Sequence, residues 1–254
     1  MGNLLERKVA LITGGAKGIG RSIVETFTSE GSFVSFIDKD DESGSKLEQQ
    51  LKLKSPNLFF QHGDVTDLQT VEDFIETTVK KFGRLDILIN NAGVNDFVGL
   101  EASPQEFLDS LNRNLYHYFY TAHFALPYLK KTQGTIINIS SKVAFMGEGH
   151  TSGYAAAKGG VNGLTAEWAF DLTKYGIRVN AIVPAIVSTP QAQEYFKNHP
   201  EAEKKAKKRV PFGKRLTTPK EIADTALFLA SDLSSHYTGE FLRPNGGYFL
   251  ETGR

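Results

Sequence analysis

Two side chains with acid–base chemistry, Tyr154 and Lys158, are four positions apart in the sequence. On a helix this spacing places them on one face. A free tyrosine has a pKa of about 10 and is a poor base at neutral pH, but a neighbouring ammonium group favours the phenolate and lowers that pKa. With the hydroxyl of Ser141 to hold a substrate oxygen, they predict a proton-transfer site for alcohol or carbonyl chemistry. An ordinary helical tyrosine beside a solvated lysine gives the same pattern by chance.

The elements that must position these residues alternate along the chain. Short β-branched runs predict strands at 9–13, 33–37, 58–61, 85–89, 135–139 and 177–183. Helical patterns cover about 19–30, 40–54, 71–82, 104–131 and 153–175. This alternation indicates an α/β fold, a parallel sheet with helices on both faces. We expect a single domain over 1–254, with a cofactor half at about 1–150 and an inserted loop or lid at about 184–216.

Composition excludes several classes of function. Lys+Arg and Asp+Glu both number 29, so nothing in the charge balance indicates a nucleic-acid or membrane partner. The absence of cysteine excludes disulfides, thiolate metal sites and cysteine nucleophiles. No metal site is apparent. Because the chain shows neither a signal-peptide core nor a membrane-spanning run, we expect a soluble cytoplasmic protein.

A glycine-rich turn follows the first predicted strand. Glycines there allow a phosphate to approach the backbone, and the helix N-terminus offers free N–H groups and the positive end of its dipole. A purely structural turn is the alternative. If the turn binds a nucleotide, its candidate contacts are Gly14, Lys17, Gly18, Ile19 and Gly20.

The residue after the second strand, Asp38, predicts which nucleotide binds. A carboxylate at this position accepts the hydroxyls of an adenosine ribose and repels a 2′-phosphate, which favours NAD over NADP. Lys17 favours NADP, because a basic residue in the glycine turn could contact the 2′-phosphate. We give Asp38 the greater weight, because a carboxylate facing a phosphate costs free energy even beside a lysine.

Small and polar residues follow the third and fourth strands at the same edge of the sheet. Asp64 and Val65 lie where an adenine ring is expected, although Asp64 could equally cap a helix. Small residues after the fourth strand allow a cofactor to lie against the strand end, and the candidates are Asn91, Ala92 and Gly93.

Taken together, these motifs resemble the short-chain dehydrogenase/reductase family over essentially the whole chain. The matching segments are Thr-Gly-x-x-x-Gly-x-Gly at 13–20, Asn-Asn-Ala-Gly at 90–93, Ser141, and Tyr-x-x-x-Lys at 154–158. The resemblance implies a doubly wound Rossmann-type sheet of seven parallel strands, hydride transfer on nicotinamide, and a homotetramer. The long helices are candidates for the tetramer interface, with Tyr116, Tyr118, Phe119, Trp168 and Phe170 as contacts unless these aromatics lie in the core.

The same resemblance implies a catalytic tetrad of Asn114, Ser141, Tyr154 and Lys158. Tyr154 would take the proton of the substrate hydroxyl, and Ser141 would hold the substrate oxygen. Lys158 would lower the tyrosine pKa and bind the nicotinamide ribose. The side chain of Asn114 would hold a water molecule between Lys158 and solvent.

Further cofactor contacts are implied after the sixth strand, at Pro184, Val187 and Thr189. Ala185 stands where the family usually has glycine, and it costs about 1 kcal/mol if the position requires a positive φ. Arg243-Pro244-Asn245 replaces the usual Val-Asp before Gly-Gly, so we expect the last strand to end early.

Polar residues at the expected pocket edges favour a sugar or polyol over a steroid or acyl chain. These substrate candidates are Asn95, Ser141, Lys142, Glu148, His150, Tyr154 and Gln191. Several strings, among them Arg-Asn-Leu-Tyr-His-Tyr at 113–118 and Thr-Ser-Gly-Tyr at 151–154, resemble the L-fucose dehydrogenase type within the family. That resemblance implies oxidation of the anomeric hydroxyl of an aldopyranose to a lactone.

Two other functions stay open. One is a reductase of 3-oxoacyl thioesters or a hydroxysteroid-type or secondary-alcohol dehydrogenase, favoured by an NADPH preference and an apolar pocket. The other is a non-catalytic NAD-binding regulator, which would usually have lost a member of the tetrad.

Overall fold

The β-branched and apolar runs form the strands of one sheet in the computed structural model, which describes residues 3–53 and 55–250. The strands are β1 (Val9–Thr13), β2 (Phe33–Asp38), β3 (Leu58–His62), β4 (Ile87–Asn90), β5 (Thr135–Ile139), β6 (Arg178–Ile182) and β7 (Phe241–Leu242). Their order is β3-β2-β1-β4-β5-β6-β7, and all pairs are parallel. Every residue of β1 and β5 is buried, as expected for a parallel sheet covered on both faces.

Helices cover both faces of this sheet. They are α1 (Gly18–Ser29), α2 (Asp41–Lys52), α3 (Leu68–Phe82), α4 (Pro104–Leu111), α5 (His117–Thr132), α6 (Ser152–Asp171), α7 (Pro190–Asn198), α8 (Pro200–Lys208) and α9 (Pro219–Ala230). One apolar core joins Ile12 of β1 to α1 and α9, and a second joins Leu11 to α3 and α5. Adjacent residues of β1 thus point to opposite layers, which confirms the doubly wound α/β fold with seven strands.

The long helix predicted at 104–131 is interrupted by a π-helical turn, Asn112–Tyr116. The side chain of Asn114 donates to the carbonyl oxygen of Ser110 at 3.1 Å, the group that would accept the backbone N–H of Asn114 in an α-helix. This competition gives a local reason for the wider turn. Such turns inside α-helices are frequent at functional sites.

The ends of two other elements bear on the predictions. β7 ends at Leu242, before Arg243, so the expected early end of the last strand is confirmed. The segment predicted as an insertion contains α7 and α8. The predicted end of the second helix at Lys54 lies outside the described residues, and α2 ends at Lys52.

The aromatic residues proposed for an interface divide into two groups. Tyr118 is fully buried, so of the two places left open for it, the structure shows the core. Its helix turns the phenol inward, where the hydroxyl donates to the carbonyl oxygen of Ile139. Phe119 and Phe170 are 50% and 83% exposed. Within the described residues, none of the helices combines the length and apolar character needed to cross a membrane.

Candidate active site

A cleft of about 830 Å³ opens at the carboxyl edge of the sheet, between the ends of β1 and β4. Its lining comes from residues at or after strand ends, including Gly14, Asp38, Asn91 and Ser140. The strand order reverses between β1 and β4, so their connections leave in opposite directions and open a crevice. Ligands of doubly wound sheets bind at such a reversal.

The turn between β1 and α1 brings its backbone unusually close to the start of the helix. Gly14 and Gly18 have φ values of 66° and 56°, which glycine adopts without steric cost. A Cβ atom on Gly20 would lie 1.9 Å from the carbonyl oxygen of Gly14. All three glycines line the cleft together with Lys17 and Ile19. The unsatisfied N–H groups at the start of α1 therefore face a site fit for an anion.

The carboxylate of Asp38 is fixed at the cleft by two backbone donors. One oxygen accepts from the N–H of Ala16 at 3.0 Å and the other from the N–H of Asp40 at 3.0 Å. Each oxygen retains a further acceptor position, so the group fits the paired hydroxyls of a ribose. Lys17 forms an ion pair with Asp40, which raises the lysine pKa. The ammonium group that could bind a 2′-phosphate is therefore already paired with a carboxylate.

The residues after β3 line the same cleft. Asp64 and Val65 both contribute to its wall. Asp64 accepts from the N–H and the hydroxyl of Thr66, each at 2.9 Å, whereas the helix that follows is capped by Asp67. The alternative assignment of Asp64 as the N-cap of that helix is therefore wrong.

Asn91, Ala92 and Gly93 line the floor of the cleft after β4. The side-chain amide of Asn91 donates to the carbonyl oxygens of Thr13 and Gly14, both at 2.9 Å. Asn91 thus holds the glycine turn against β4, and its side chain supports the cofactor site through that turn.

Pro184, Val187 and Thr189 line the cleft after β6, where the sequence places them. The hydroxyl of Thr189 caps α7 by accepting from the N–H of Ala192 at 3.3 Å. Ala185 does not have a positive φ, so the strain considered for alanine at this position does not arise.

Three members of the predicted tetrad converge on the wall of the cleft. Ser141 follows β5 and its hydroxyl accepts from the N–H of Val143 at 3.4 Å. Tyr154 and Lys158 lie in the first turns of α6, and all three side chains line the cleft. The hydroxyl of Ser141 acts on the pKa of the Tyr154 phenol. The ammonium nitrogen of Lys158 is 5.6 Å from the centroid of the Tyr154 ring.

The pKa values in this group differ from the sequence prediction. Removal from bulk water raises the pKa of Tyr154 to about 12, opposed by the Ser141 hydrogen bond and increased by the charges of Glu148 and Asp96. Burial also lowers the pKa of Lys158 to about 7. Desolvation of both groups dominates, so the pKa of Tyr154 is raised and not lowered as expected from the sequence. The smaller effect of Lys158 on that pKa stays a prediction.

Asn114 is fully buried in the π-helical turn and lies behind the cleft wall. Its Oδ1 accepts from the N–H of Val94 at 2.7 Å, and a Cβ atom on Gly93 would come within 3.0 Å of that oxygen. The side chain therefore ties the helix to the segment after β4. Its role in holding a water molecule stays a prediction.

Of the residues predicted only for substrate, Gln191 lines the cleft, whereas Asn95, Lys142, Glu148 and His150 do not. Asn95 accepts from the N–H of Phe97 at 3.3 Å and closes a local turn. Lys142 forms an ion pair with Glu148. His150 is exposed, with a φ of 51°. These four side chains are held in local turns or ion pairs or are exposed, and their contact with a substrate stays a prediction.

Polar residues that the sequence analysis missed lie around the π-helical turn. Asp109, Asn112 and Arg113 line the cleft. Arg113 donates twice to Asp96, at 3.1 and 2.8 Å, and so places this carboxylate near Tyr154. The only available signal was the string 112–114, which we interpreted for Asn114 alone.

Comparisons with known proteins agree with this geometry. The family described as enoyl-(acyl carrier protein) reductase matches residues 14–249. A 3-oxoacyl-[acyl-carrier-protein] reductase of Thermotoga maritima is 37% identical over 97% of this chain and 99% of its own. An L-fucose dehydrogenase of Rattus norvegicus is 39% identical over 97% of this chain and 91% of its own.

A solved structure shows the same architecture. The crystal structure of Cj0485 dehydrogenase superposes with a TM-score of 0.95 and 39% identity, covering 99% of this chain and 98% of that one. Similarity of this extent covers the nucleotide side of the cleft and the loops on its substrate side.

Proposed function

The chain belongs to the short-chain dehydrogenase/reductase family, and we propose that it is an NAD-dependent dehydrogenase of L-fucose-type aldopyranoses. The reaction would oxidise the anomeric hydroxyl to a lactone. The observation that carries the proposal is that Ser141, Tyr154 and Lys158 line the same cleft as Asp38. A proton acceptor and a ribose-binding carboxylate thus share one cleft.

The proposed roles follow from the donors and acceptors of each group. The hydroxyl of Ser141 holds the substrate oxygen at the cleft wall, and the phenolate of Tyr154 removes the proton from that oxygen. Lys158 lies beside the tyrosine ring and favours the phenolate while it carries its own proton. When bound, NAD would supply the acceptor for the hydride that leaves the anomeric carbon.

The preference for NAD rests on Asp38 and on the partner of Lys17. A 2′-phosphate would place its negative charge against the Asp38 carboxylate, which two backbone donors already hold in position. The lysine that could compensate for this repulsion is paired with Asp40. We therefore expect NAD to be preferred.

The sugar substrate is supported by two observations. The rat relative of 39% identity is an L-fucose dehydrogenase. In addition, polar side chains line the cleft together with Tyr154, among them Ser141, Arg113 and Gln191. A polyhydroxylated ring finds donors and acceptors in such surroundings, whereas an acyl chain or steroid needs mainly apolar walls.

A second candidate function is the reduction of 3-oxoacyl thioesters. It is favoured by the 37% identity to the Thermotoga maritima reductase over nearly the whole of both chains. The same tetrad serves this reaction in reverse, since Tyr154 then donates the proton to a carbonyl oxygen. An NADPH preference would accompany it.

The deciding measurement is a set of initial rates with NAD and NADP on L-fucose, D-arabinose, L-galactose, D-glucose and a hydrophobic secondary alcohol. The same preparation is assayed for NADPH oxidation with acetoacetyl thioester. We expect fast NAD reduction with the first three sugars only. Turnover confined to the thioester or the hydrophobic alcohol would overturn the substrate assignment, and a preference for NADP would overturn the argument from Asp38.

A further inference from the structure

The ammonium group of Lys158 has two hydrogen-bond partners within the protein. It donates to the hydroxyl of Tyr118 and to the carbonyl oxygen of Ile139, both at 2.8 Å. The Tyr118 hydroxyl in turn donates to the same carbonyl oxygen at 2.8 Å. The three polar groups are therefore joined by three hydrogen bonds in a closed triangle.

The direction of these hydrogen bonds fixes what Tyr118 contributes. Its single proton is directed to Ile139, so it presents only lone pairs to Lys158. Tyr118 is fully buried, and burial raises its pKa well above the ordinary value, which keeps it a neutral phenol. An acceptor of this kind stabilises the ammonium form of Lys158 over the neutral amine. Of the three ammonium protons, one is left for the cleft that Lys158 lines.

The other ionisable groups around Lys158 do not replace this acceptor. His117, next to Tyr118 on α5, is fully buried, and burial and the charge of Lys158 lower its pKa to about 3, so it is neutral. Tyr154 faces Lys158 from the same helix. The charge of Asp64, in the segment after β3, raises the pKa of His117. The charges of Glu148 and Asp96 raise the pKa of Tyr154. Among residues 3–53 and 55–250, no carboxylate forms an ion pair with Lys158.

We propose that Tyr118 is a positioning residue: by accepting a hydrogen bond from Lys158, it keeps that lysine charged and directed between Tyr154 and the ribose of the nucleotide. The inference rests on the proposed dehydrogenase chemistry, in which Lys158 acts on Tyr154, and is independent of which alcohol is oxidised. A charged lysine buried at 2% exposure needs such compensation, because an unpaired buried ammonium loses its proton instead.

The test is Tyr118→Phe, which keeps the ring and removes the acceptor. We expect kcat at neutral pH to fall about tenfold, the effect of losing one hydrogen bond to a charged group. The alkaline limb of the kcat profile should move to lower pH, because the ammonium form of Lys158 is less favoured. Tyr128→Phe is the matched control, since it removes a hydroxyl from the same helix at a half-buried position. If Tyr118→Phe does not fold, Tyr118→Met removes the acceptor with a more adaptable side chain.

A second readout does not require turnover. NADH binding is followed by fluorescence from pH 6 to 10. As the pH rises, the loss of NADH affinity should begin at a lower pH in Tyr118→Phe than in the wild type. Superimposable pH profiles of the two proteins, in both kcat and NADH binding, would overturn the role of Tyr118. Rates are taken with the best substrate of the panel. A wild type without aldose activity thus overturns the proposed sugar substrate alone and leaves the test of Tyr118 intact.

Discussion

The two sides of the cleft hold their polar groups by different means. On the side of β1, β2 and β4, the groups are fixed by backbone: Asp38 accepts from two main-chain N–H groups, and Asn91 donates to two carbonyl oxygens. On the side between β5 and α6, Lys142 and Glu148 are paired with each other, and His150 is exposed. The first side is held by the sheet, whereas the second depends on contacts between loop side chains.

This difference indicates how binding and specificity are divided. A group fixed by the backbone cannot move away from a ligand that it repels. Its removal, or a repulsive contact with it, should therefore change the binding free energy by the full value of the interaction. The carboxylate of Glu148 is partly exposed beside Lys142, so it can accept a hydrogen bond from a substrate hydroxyl at a smaller cost. We therefore expect large effects from substitutions at the fixed groups and small ones from substitutions in the loop.

The largest effect should come from Tyr154→Phe, at the junction of the two sides. Without the phenol the proposed proton acceptor is lost, so kcat should fall by about a thousandfold or more. NADH binding should change little, because the ring that lines the cleft remains. Stopped-flow rates and NADH fluorescence measure the two quantities, with Tyr128→Phe as the control. Retained turnover would disprove the assigned base, and NADH binding with no wild-type turnover would favour a regulator.

On the backbone-fixed side, Asp38→Asn should change the cofactor preference. The substitution keeps the size of the side chain and removes the charge that repels a 2′-phosphate. We expect kcat/KM with NAD to fall by about ten- to a hundredfold and kcat/KM with NADP to rise, because a ribose hydroxyl loses a charged acceptor.

Adding Asp40→Asn sharpens this experiment, since it releases Lys17 from its ion pair. The double variant should gain further with NADP, whereas Asp40→Asn alone should leave the NAD preference in place. Steady-state kinetics with both cofactors measure the outcome. An NADP preference in the wild type, or an unchanged ratio of kcat/KM for the two cofactors in Asp38→Asn, would show that Asp38 does not bind the adenosine ribose.

Lys158 of α6 allows the energetic cost of a buried charge at the cleft wall to be measured. Burial lowers its pKa to about 7, below the value of about 10.4 for an unfolded chain. The unfolded state therefore binds more protons between these values, so the destabilisation is full below pH 7 and decreases as the pH rises. Relative to Lys158→Met, the wild-type free energy of unfolding should rise by roughly 2 kcal/mol from pH 7 to pH 9. Urea unfolding at both pH values measures it, and parallel pH dependences would contradict the lowered pKa.

The sequence predicted the fixed side better than the loop side, and the reason is geometric. The carboxyl ends of parallel strands meet at one edge of the sheet, so identifying strands locates Asp38, Asp64 and Asn91. The loop after β5 has no period from which to infer where Lys142 and Glu148 point. The partner of Lys158 was missed because the helical pattern predicted one continuous helix over 104–131, whereas a π-helical turn precedes Tyr118.

The smallest effect is expected on the loop side, from Glu148→Gln. The negative charge of Glu148 contributes to the raised pKa of Tyr154. Its removal should lower that pKa, increase the phenolate fraction at a given pH, and move the acid limb of kcat/KM to lower pH by a few tenths of a unit. Rates on that limb should rise about twofold, in line with such a shift. The pH profile of Glu76→Gln, at an exposed position of α3, provides the control. A tenfold loss of kcat/KM would instead make Glu148 a substrate ligand and would show that the loop side is as firmly held as the sheet side.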